Sequence, residues 1–439
     1  MSTKPPGGTR DFLPDEIRRR EYVIGVIRDV YERYGFEPLE TPAFENIETL
    51  LGKYGDEGNK LIFKILRRGE QEAGGGADLA LRYDLTVPLA RVIARYQNEL
   101  PRFFKRYQIQ PVWRADRPAR GRFREFFQCD IDAIGTTSGL VEVELLAAVS
   151  DVLERLGFDD FTIRLNHREL LSGLLKAAGV PPPLHGEALV AIDKLDKIGA
   201  DGVRAELAAR GIDADAARIC LELFEADFPA GLRRHLDGDE RAALAVEQLE
   251  TMTRLAERTA AFRHLHVDPS LARGLSYYTG AIMEIAVPDL AGSLGGGGRY
   301  DNLIGMFLGR PVPACGFSLG LERIIVVMTE RKMFPAGIAR AAVDVMVAIW
   351  NDDTAGHSLA LAFELRRLGL RVDVYPEAEK IGKQFKYAAA RGVPFVALLG
   401  DDERARGEVA IKDLRSGDQQ SIARGEVAAF ITRQLPQDA

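Results

Sequence analysis

The segment RADRPARGRFREFFQCDIDAIG, residues 114–135, limits the fold of this chain more than any other stretch. Five arginines, Arg114, Arg117, Arg120, Arg122 and Arg124, precede a run in which apolar and acidic residues alternate. Alternation with a period of two is the mark of a strand with one face buried. Residues 123–134 therefore predict a strand, residues 103–112 predict its partner, and the arginines crowd the hairpin between them. Guanidinium groups hold phosphate through forked, permanently charged donors, where an ammonium supplies only a point charge. The expected ligand is a triphosphate, gripped beside a buried acidic pocket. LARGLSYYTG (271–280) and GFSLGLERIIVVM (316–328) repeat the theme, setting Arg273 and Arg323 among glycine, tyrosine or apolar residues.

At 439 residues the chain exceeds one hydrophobic core, so two or three domains are expected. No run approaches the roughly 18 apolar residues of a membrane span, and MSTKPPGGTRDFLPDE holds no apolar signal core. A cytoplasmic protein without membrane contact is expected. The three cysteines are odd in number and scattered, which favours buried thiols over a disulfide framework or a zinc site. A net charge of -7 excludes a protein that coats nucleic acid nonspecifically. Any RNA contact must be concentrated in patches, for which the arginine hairpin and Lys380, Lys383, Lys386 and Arg391 are candidates; an ordinary solvated face is the alternative for the second group.

Apolar spacing predicts a helix over residues 14–34, stopped by Gly35. GFEPLETPAFE (35–45) is strand-like, but Pro38 and Pro42 confine it to an edge or an interface. Strands over 79–85, 103–112 and 123–134 and helices over 86–97 and 140–156 suggest an antiparallel sheet flanked by helices. Residues 174–260 read as a helical insertion, and strand character resumes at 276–286. Gly295, Gly296, Gly297 and Gly298 admit three readings: a phosphate loop, although GxGxxG is absent, a flexible turn, or a close backbone approach to a ligand. The first domain is expected to span 1–334 and a linker 335–341. In 342–439, VDVMVAIW, RVDVY and PFVALLG alternate with helical segments over 357–368 and 380–390, the pattern of βαβ units.

No Ser/His/Asp arrangement or GxxxxGK[ST] loop is visible, and the six histidines form no ligand pairs. His264 and His266 read as surface residues. An arginine-centred site suits attack of a carboxylate on the α-phosphorus of ATP. That nucleophile is already ionised, so no general base is needed, and the charge gathering on phosphoryl oxygens is what guanidinium groups stabilise. The competing reading of Arg114, Arg273 and Arg323 is surface salt bridging.

The ordered set GGTRDFLP, GFEPLETPAFE, LRYDLTVPLAR, RGRFREFFQCDIDAIG, ARGLSYYTG, GGGGRYDNLIG and GFSLGLER resembles the histidyl-tRNA synthetases, a class II aminoacyl-tRNA synthetase family, and KIGKQFKYAAARG resembles their anticodon-binding domain. The resemblance implies an α+β fold: a six-stranded class II antiparallel sheet flanked by helices, with a helical insertion and a C-terminal α/β anticodon-binding domain. It implies a homodimer with residues 35–45 at its interface. The implied activity is ATP-dependent attachment of L-histidine to tRNA(His) through a histidyl-adenylate, with Mg2+ accompanying ATP. Arg114 and Arg273 would serve catalysis at the α-phosphate and substrate carboxylate. Asp84, Leu85, Thr86 and Gln128 would hold the α-amino end of histidine, and Asp132 and Tyr278, with Tyr277 and Tyr300 nearby, would read its imidazole. For ATP the resemblance implies Arg114, Asp116, Arg122, Phe126, stacked on adenine, and Arg323. Ser276 departs from the aspartate of many members, and Asp84, Asp116 and Asp132 stand where some carry glutamate. The rival expectation is a noncatalytic, histidine-binding regulatory subunit of ATP phosphoribosyltransferase, a paralogue that characteristically lacks the C-terminal domain.

Overall fold

The computed structural model describes residues 2–66, 76–272, 277–335, 338 and 343–435. Two units divide it, Met1–Phe334 and Pro335–Ala439. In chain order the strands of the first are β1 (Glu37–Pro38), β2 (Phe44–Asn46), β3 (Lys64–Leu66), β4 (Ala77–Leu81), β5 (Phe104–Trp113), β6 (Glu125–Ile134), β7 (Thr162–His167), β8 (Leu265–Val267), β9 (Ala281–Ala286), β10 (Ser293–Arg299) and β11 (Ala314–Gly320). Eight form one sheet in the order β1-β5-β6-β11-β10-β9-β7-β8. From β5 to β7 the six strands are antiparallel, neighbour to neighbour, and a parallel strand closes each edge.

The alternation that predicted the hairpin sorts its side chains by face. Tyr107, Cys129, Ile131, Cys315, Phe317 and Leu319 join a buried apolar cluster with the helices Pro14–Arg33, Leu140–Arg155 and Leu321–Glu330. Arg106, Gln108, Gln110, Gln128, Asp130 and Asp132 take the opposite face. Helix Pro14–Arg33 begins with proline at its first turn, where no backbone N–H is lost, and Glu16 accepts the Leu13 amide at 3.1 Å. Its end requires Gly35 at φ 75°, which lets the Phe36 amide return to the Tyr31 carbonyl at 3.1 Å.

Three expectations need correction. The proline-rich segment 35–45 does lie at sheet edges, as its prolines require, but as two strands and not one: β1 is an edge of the main sheet, and β2 is an edge of a small sheet of order β2-β4-β3. The strand expected over 79–85 stops at Leu81 and also belongs to the small sheet, because Asp84 turns aside to accept the Val87 amide at 3.0 Å at the start of helix Thr86–Arg95. Gly295 to Gly298 form neither loop nor turn; they occupy the middle of β10. A β-carbon on Gly295 would lie 2.5 Å from the Ser318 carbonyl oxygen, and one on Gly297 2.2 Å from that of Gly316. What the missing side chains admit here is the backbone of the neighbouring strand β11.

Between β7 and β8 the chain is helical, through Arg168–Ala177, His185–Ile192, Leu195–Ala209, Ala214–Phe224, Ala230–Arg233 and Glu240–Ala256. In the second unit, β12 (Val345–Val347), β13 (Val372–Val374), β14 (Phe395–Leu398), β15 (Glu408–Asp413) and β16 (Gln419–Ala423) form a sheet of order β13-β12-β14-β15-β16. The first three are parallel, joined by helices Ala355–Arg367 and Ile381–Ala390, and β15 and β16 add an antiparallel hairpin. Cys129, Cys220 and Cys315 are all buried free thiols. Among the described residues no helix is long and apolar enough to cross a membrane.

Candidate active site

The polar face of the main sheet is a floor with side chains at one end and almost none at the other. On β11 and β10, Gly316, Gly320, Gly296 and Gly298 share this face with Ser318. A β-carbon on Gly316 would sit 1.9 Å from Asp132 Oδ1, and one on Gly298 2.9 Å from the Tyr278 ring. These two glycines are thus what allows the carboxylate and the phenol to lie against the backbone.

At the acidic end, Asp84 accepts the Tyr54 hydroxyl at 3.0 Å and the Tyr277 hydroxyl at 3.3 Å besides the Val87 amide. Burial raises its pKa, against the pull of those bonds and of Arg114. Thr86 opens the adjoining helix, and Leu85 is fully buried with its carbonyl 3.5 Å from Arg106 Nη2. Asp132 Oδ1 accepts the Tyr300 hydroxyl, while Oδ2 lies 2.8 Å from Arg106 Nη2 without the alignment of a hydrogen bond. Tyr277 meets Tyr278 and Tyr300 edge to face, with centroids 5.1 and 6.0 Å away. Gln128 donates to Ser318 Oγ at 2.8 Å, leaving its own Oε1 without a hydrogen-bond partner. Buried acceptors of this kind call for a ligand that brings N–H donors.

The arginine hairpin borders the other end. Arg114 donates to the Tyr83 carbonyl at 3.0 Å, and its guanidinium lies 4.4 Å from the Tyr83 ring centre and 5.1 Å from that of Phe126. Two aromatic faces so placed fix the plane of the cation. Arg122 is 3.9 Å from Asp116. Arg323 donates to the Ser293 carbonyl, and the site of a β-carbon on Gly121, within the hairpin, is 3.3 Å from Arg323 Cγ. Arg114 at the base of the hairpin and Arg323 under its turn therefore flank one structure. Neighbouring Glu322 fastens the start of its helix, accepting Arg20 at 2.8 Å and the Phe127 amide at 2.9 Å.

Not all five hairpin arginines are available to a ligand. Arg124 is spent on the Gly7 and Asp116 carbonyls, both at 3.2 Å, and Arg120 on Glu330 and the Asp289 carbonyl. Arg273 and Ser276 lie outside the described residues. Arg106, Asp130, Tyr54, Tyr83 and Ser318 escaped sequence reasoning. The signal for the first was present: polar residues at every second position of β5 imply a polar face, which pairing sets on the same side of the sheet as that of β6. His264, far from being a surface residue, is buried and stacked on Phe161 with ring centres 3.7 Å apart.

Comparison with known proteins agrees with this architecture. The family model described as histidyl-tRNA synthetase matches residues 8–324, and that described as anticodon binding domain matches residues 344–434. The histidine–tRNA ligase of Christiangramia forsetii is 41% identical, covering 96% of this chain and 98% of that protein. That of Gloeobacter violaceus is 42% identical, covering 98% of each. The crystal structure of histidyl-tRNA synthetase from Nostoc sp. PCC 7120 superposes with a TM-score of 0.81 at 32% identity, over 99% of this chain and 100% of that one. A Bacillus halodurans structure titled as an ATP phosphoribosyltransferase regulatory subunit/histidyl-tRNA synthetase reaches a TM-score of 0.71 at 21% identity, over 88% of this chain and 96% of that one, a likeness of fold alone. With a class II sheet, an anticodon-binding unit and near-full-length relatives above 40% identity, the chain belongs to the histidyl-tRNA synthetase family.

Proposed function

We propose that this chain joins L-histidine to tRNA(His) in two steps. The histidine carboxylate attacks the α-phosphorus of ATP, forming a histidyl-adenylate as the bond to pyrophosphate breaks. A terminal ribose hydroxyl of the tRNA then attacks the activated carbonyl and releases AMP. The observation that carries this reading is the juxtaposition, on one sheet face, of Arg114 with buried carboxylates and unpartnered acceptors.

Each residue is assigned by what it offers. Asp84 and Gln128, together with Leu85 and Thr86, supply the surroundings and acceptors for the α-ammonium. Asp132 and Tyr278 face the imidazole, with Tyr277 and Tyr300 holding the carboxylates Asp84 and Asp132. Arg114 and Arg273 stabilise charge on the α-phosphate, Phe126 stacks on adenine, and Arg122, Asp116 and Arg323 serve the rest of the nucleotide. Magnesium enters with ATP as part of the substrate; among the described residues no cluster of three His, Cys, Asp or Glu side chains offers a resident site.

The helical block 174–260 is the insertion expected to approach the tRNA, residues 335–341 link the units, and 342–439 engage the anticodon. A cytoplasmic homodimer completes the proposal; its interface on residues 35–45 is supported by the exposure of Phe44. The regulatory-subunit reading leaves the anticodon-binding unit without a task. Histidine-dependent ATP–pyrophosphate exchange tests the whole: turnover is expected, and Arg273→Ala should abolish it with the fold intact. Histidine binding without any exchange would overturn the enzymatic reading in favour of the regulatory one.

A further inference from the structure

Two buried carboxylates share one guanidinium beneath the histidine pocket. Arg106, which is fully buried, lies 2.8 Å from Asp132 Oδ2 and 3.8 Å from Asp130 Oδ2. Asp130 and Asp132 are each 2% exposed. The other groups around Asp130 do not settle the balance. Ser318 and Gln128 give it neutral hydrogen bonds, Asp84 adds negative charge, and Tyr278 is neutral because burial raises its pKa. Arg82 gives its hydrogen bonds elsewhere, to the carbonyls of Thr41 and Pro111 at 2.6 and 2.8 Å and to Gln110 Oε1 at 2.9 Å, so it reaches Asp130 only through space, and it shares that charge with Glu40 and Glu45. Burial raises both acids, with Arg106 pulling the other way. Within the directly paired trio of Asp130, Asp132 and Arg106 one negative charge is therefore in surplus where water cannot screen it, and a buried charge without its own partner is strongly unfavourable.

We infer that Asp130 is a specificity-determining residue which, with Asp132 and Arg106, makes this pocket bind histidine together with one additional proton, so that its side chain is recognised as a cation. This rests on the proposed placement of the histidine imidazole against Asp132. Asp132 Oδ2 is an acceptor without a directed donor, and an imidazolium presents N–H groups at both ring nitrogens where neutral imidazole presents one. The proton, carried on the ring as imidazolium, neutralises the surplus. Ligands with the same shape but a ring that resists protonation are discriminated against by charge.

Calorimetric titration of the full chain with histidine, at about pH 8 in buffers of different ionisation enthalpy, counts the protons taken up, since free imidazole is neutral there. About one proton per site is expected for the native protein and well under half a proton for Asp130→Asn. The analogue bearing a 1,2,4-triazole ring should bind the native protein at least about tenfold more weakly than histidine, and Asp130→Asn should narrow that gap. Native binding without proton uptake, or equal affinity for the two ligands, overturns the inference. Histidine-dependent pyrophosphate exchange, run alongside, separates the failures: exchange without proton uptake sinks only this inference, and absence of both histidine binding and exchange sinks the parent reading with it.

Discussion

Gly316 and Asp132 compete for the same space, since a methyl group on the former would meet the latter's Oδ1 at 1.9 Å. Overpacking of this sort costs about 1–3 kcal/mol, or roughly five- to a hundredfold in affinity. Gly316→Ala should raise the histidine KM in pyrophosphate exchange by that factor with the KM for ATP nearly unchanged; an unaltered histidine KM would show that Asp132 does not face the substrate. Arg114→Ala should lower the exchange kcat by about 10²- to 10³-fold. Arg114→Lys should recover little, because a flat cation held between Tyr83 and Phe126 is not replaced by an ammonium. At this scale the sequence disclosed the residues with unusual neighbours, such as Arg114 between hairpin strands and Asp132 in an apolar run. It concealed Arg106 and Asp130, whose pairing depends on strand register: Arg106 stands opposite Asp132, and Gln108 opposite Asp130.

His167 ends β7 and caps the next helix, its Nδ1 accepting the Glu169 amide at 3.2 Å. An acceptor at Nδ1 requires neutral imidazole. Burial lowers its pKa from 6.5 to about 4, with a weaker opposing bond to Gln248. Because the unfolded chain takes up this proton first, the contribution is complete above the unfolded value and disappears as pH falls towards the folded one. Its size is up to about 3 kcal/mol. His167→Asn keeps a capping acceptor that does not titrate, so in urea unfolding the gap between native protein and variant should shift in the variant's favour as pH falls through that window. The comparison with the variant is essential, since Asp130 and Asp132, raised by burial, act in the opposite direction. Elements themselves were legible where periodicity was strong, as in β5, β6 and helix Leu140–Arg155. They were obscure where local cues conflicted: two prolines masked the division of 35–45 between sheets, four glycines hid β10, and the polar edge strand β16 carries no apolar alternation.

For the molecule as a whole, the two units divide the chemistry from the proposed reading of tRNA. Lys380 and Lys386 are exposed on the second, whereas Lys383 is paired with Glu379 at 2.8 Å and Arg391 with Asp373. Lys380→Ala/Lys386→Ala should cut kcat/KM for tRNA roughly tenfold and flatten its dependence on salt by about one to two ions, with pyrophosphate exchange unaffected. Unchanged charging across salt concentrations would assign both lysines to an ordinary solvated face. The three buried thiols extend the view from chemistry to motion. Burial raises the pKa of each, that of Cys220 to about 12, so almost no reactive thiolate exists while the native packing is intact. Cys129 and Cys315 lie beneath the floor of the site and Cys220 lies in the helical block. Alkylation at each position will consequently clock local opening, timing the two regions separately in one unlabelled, unmutated enzyme.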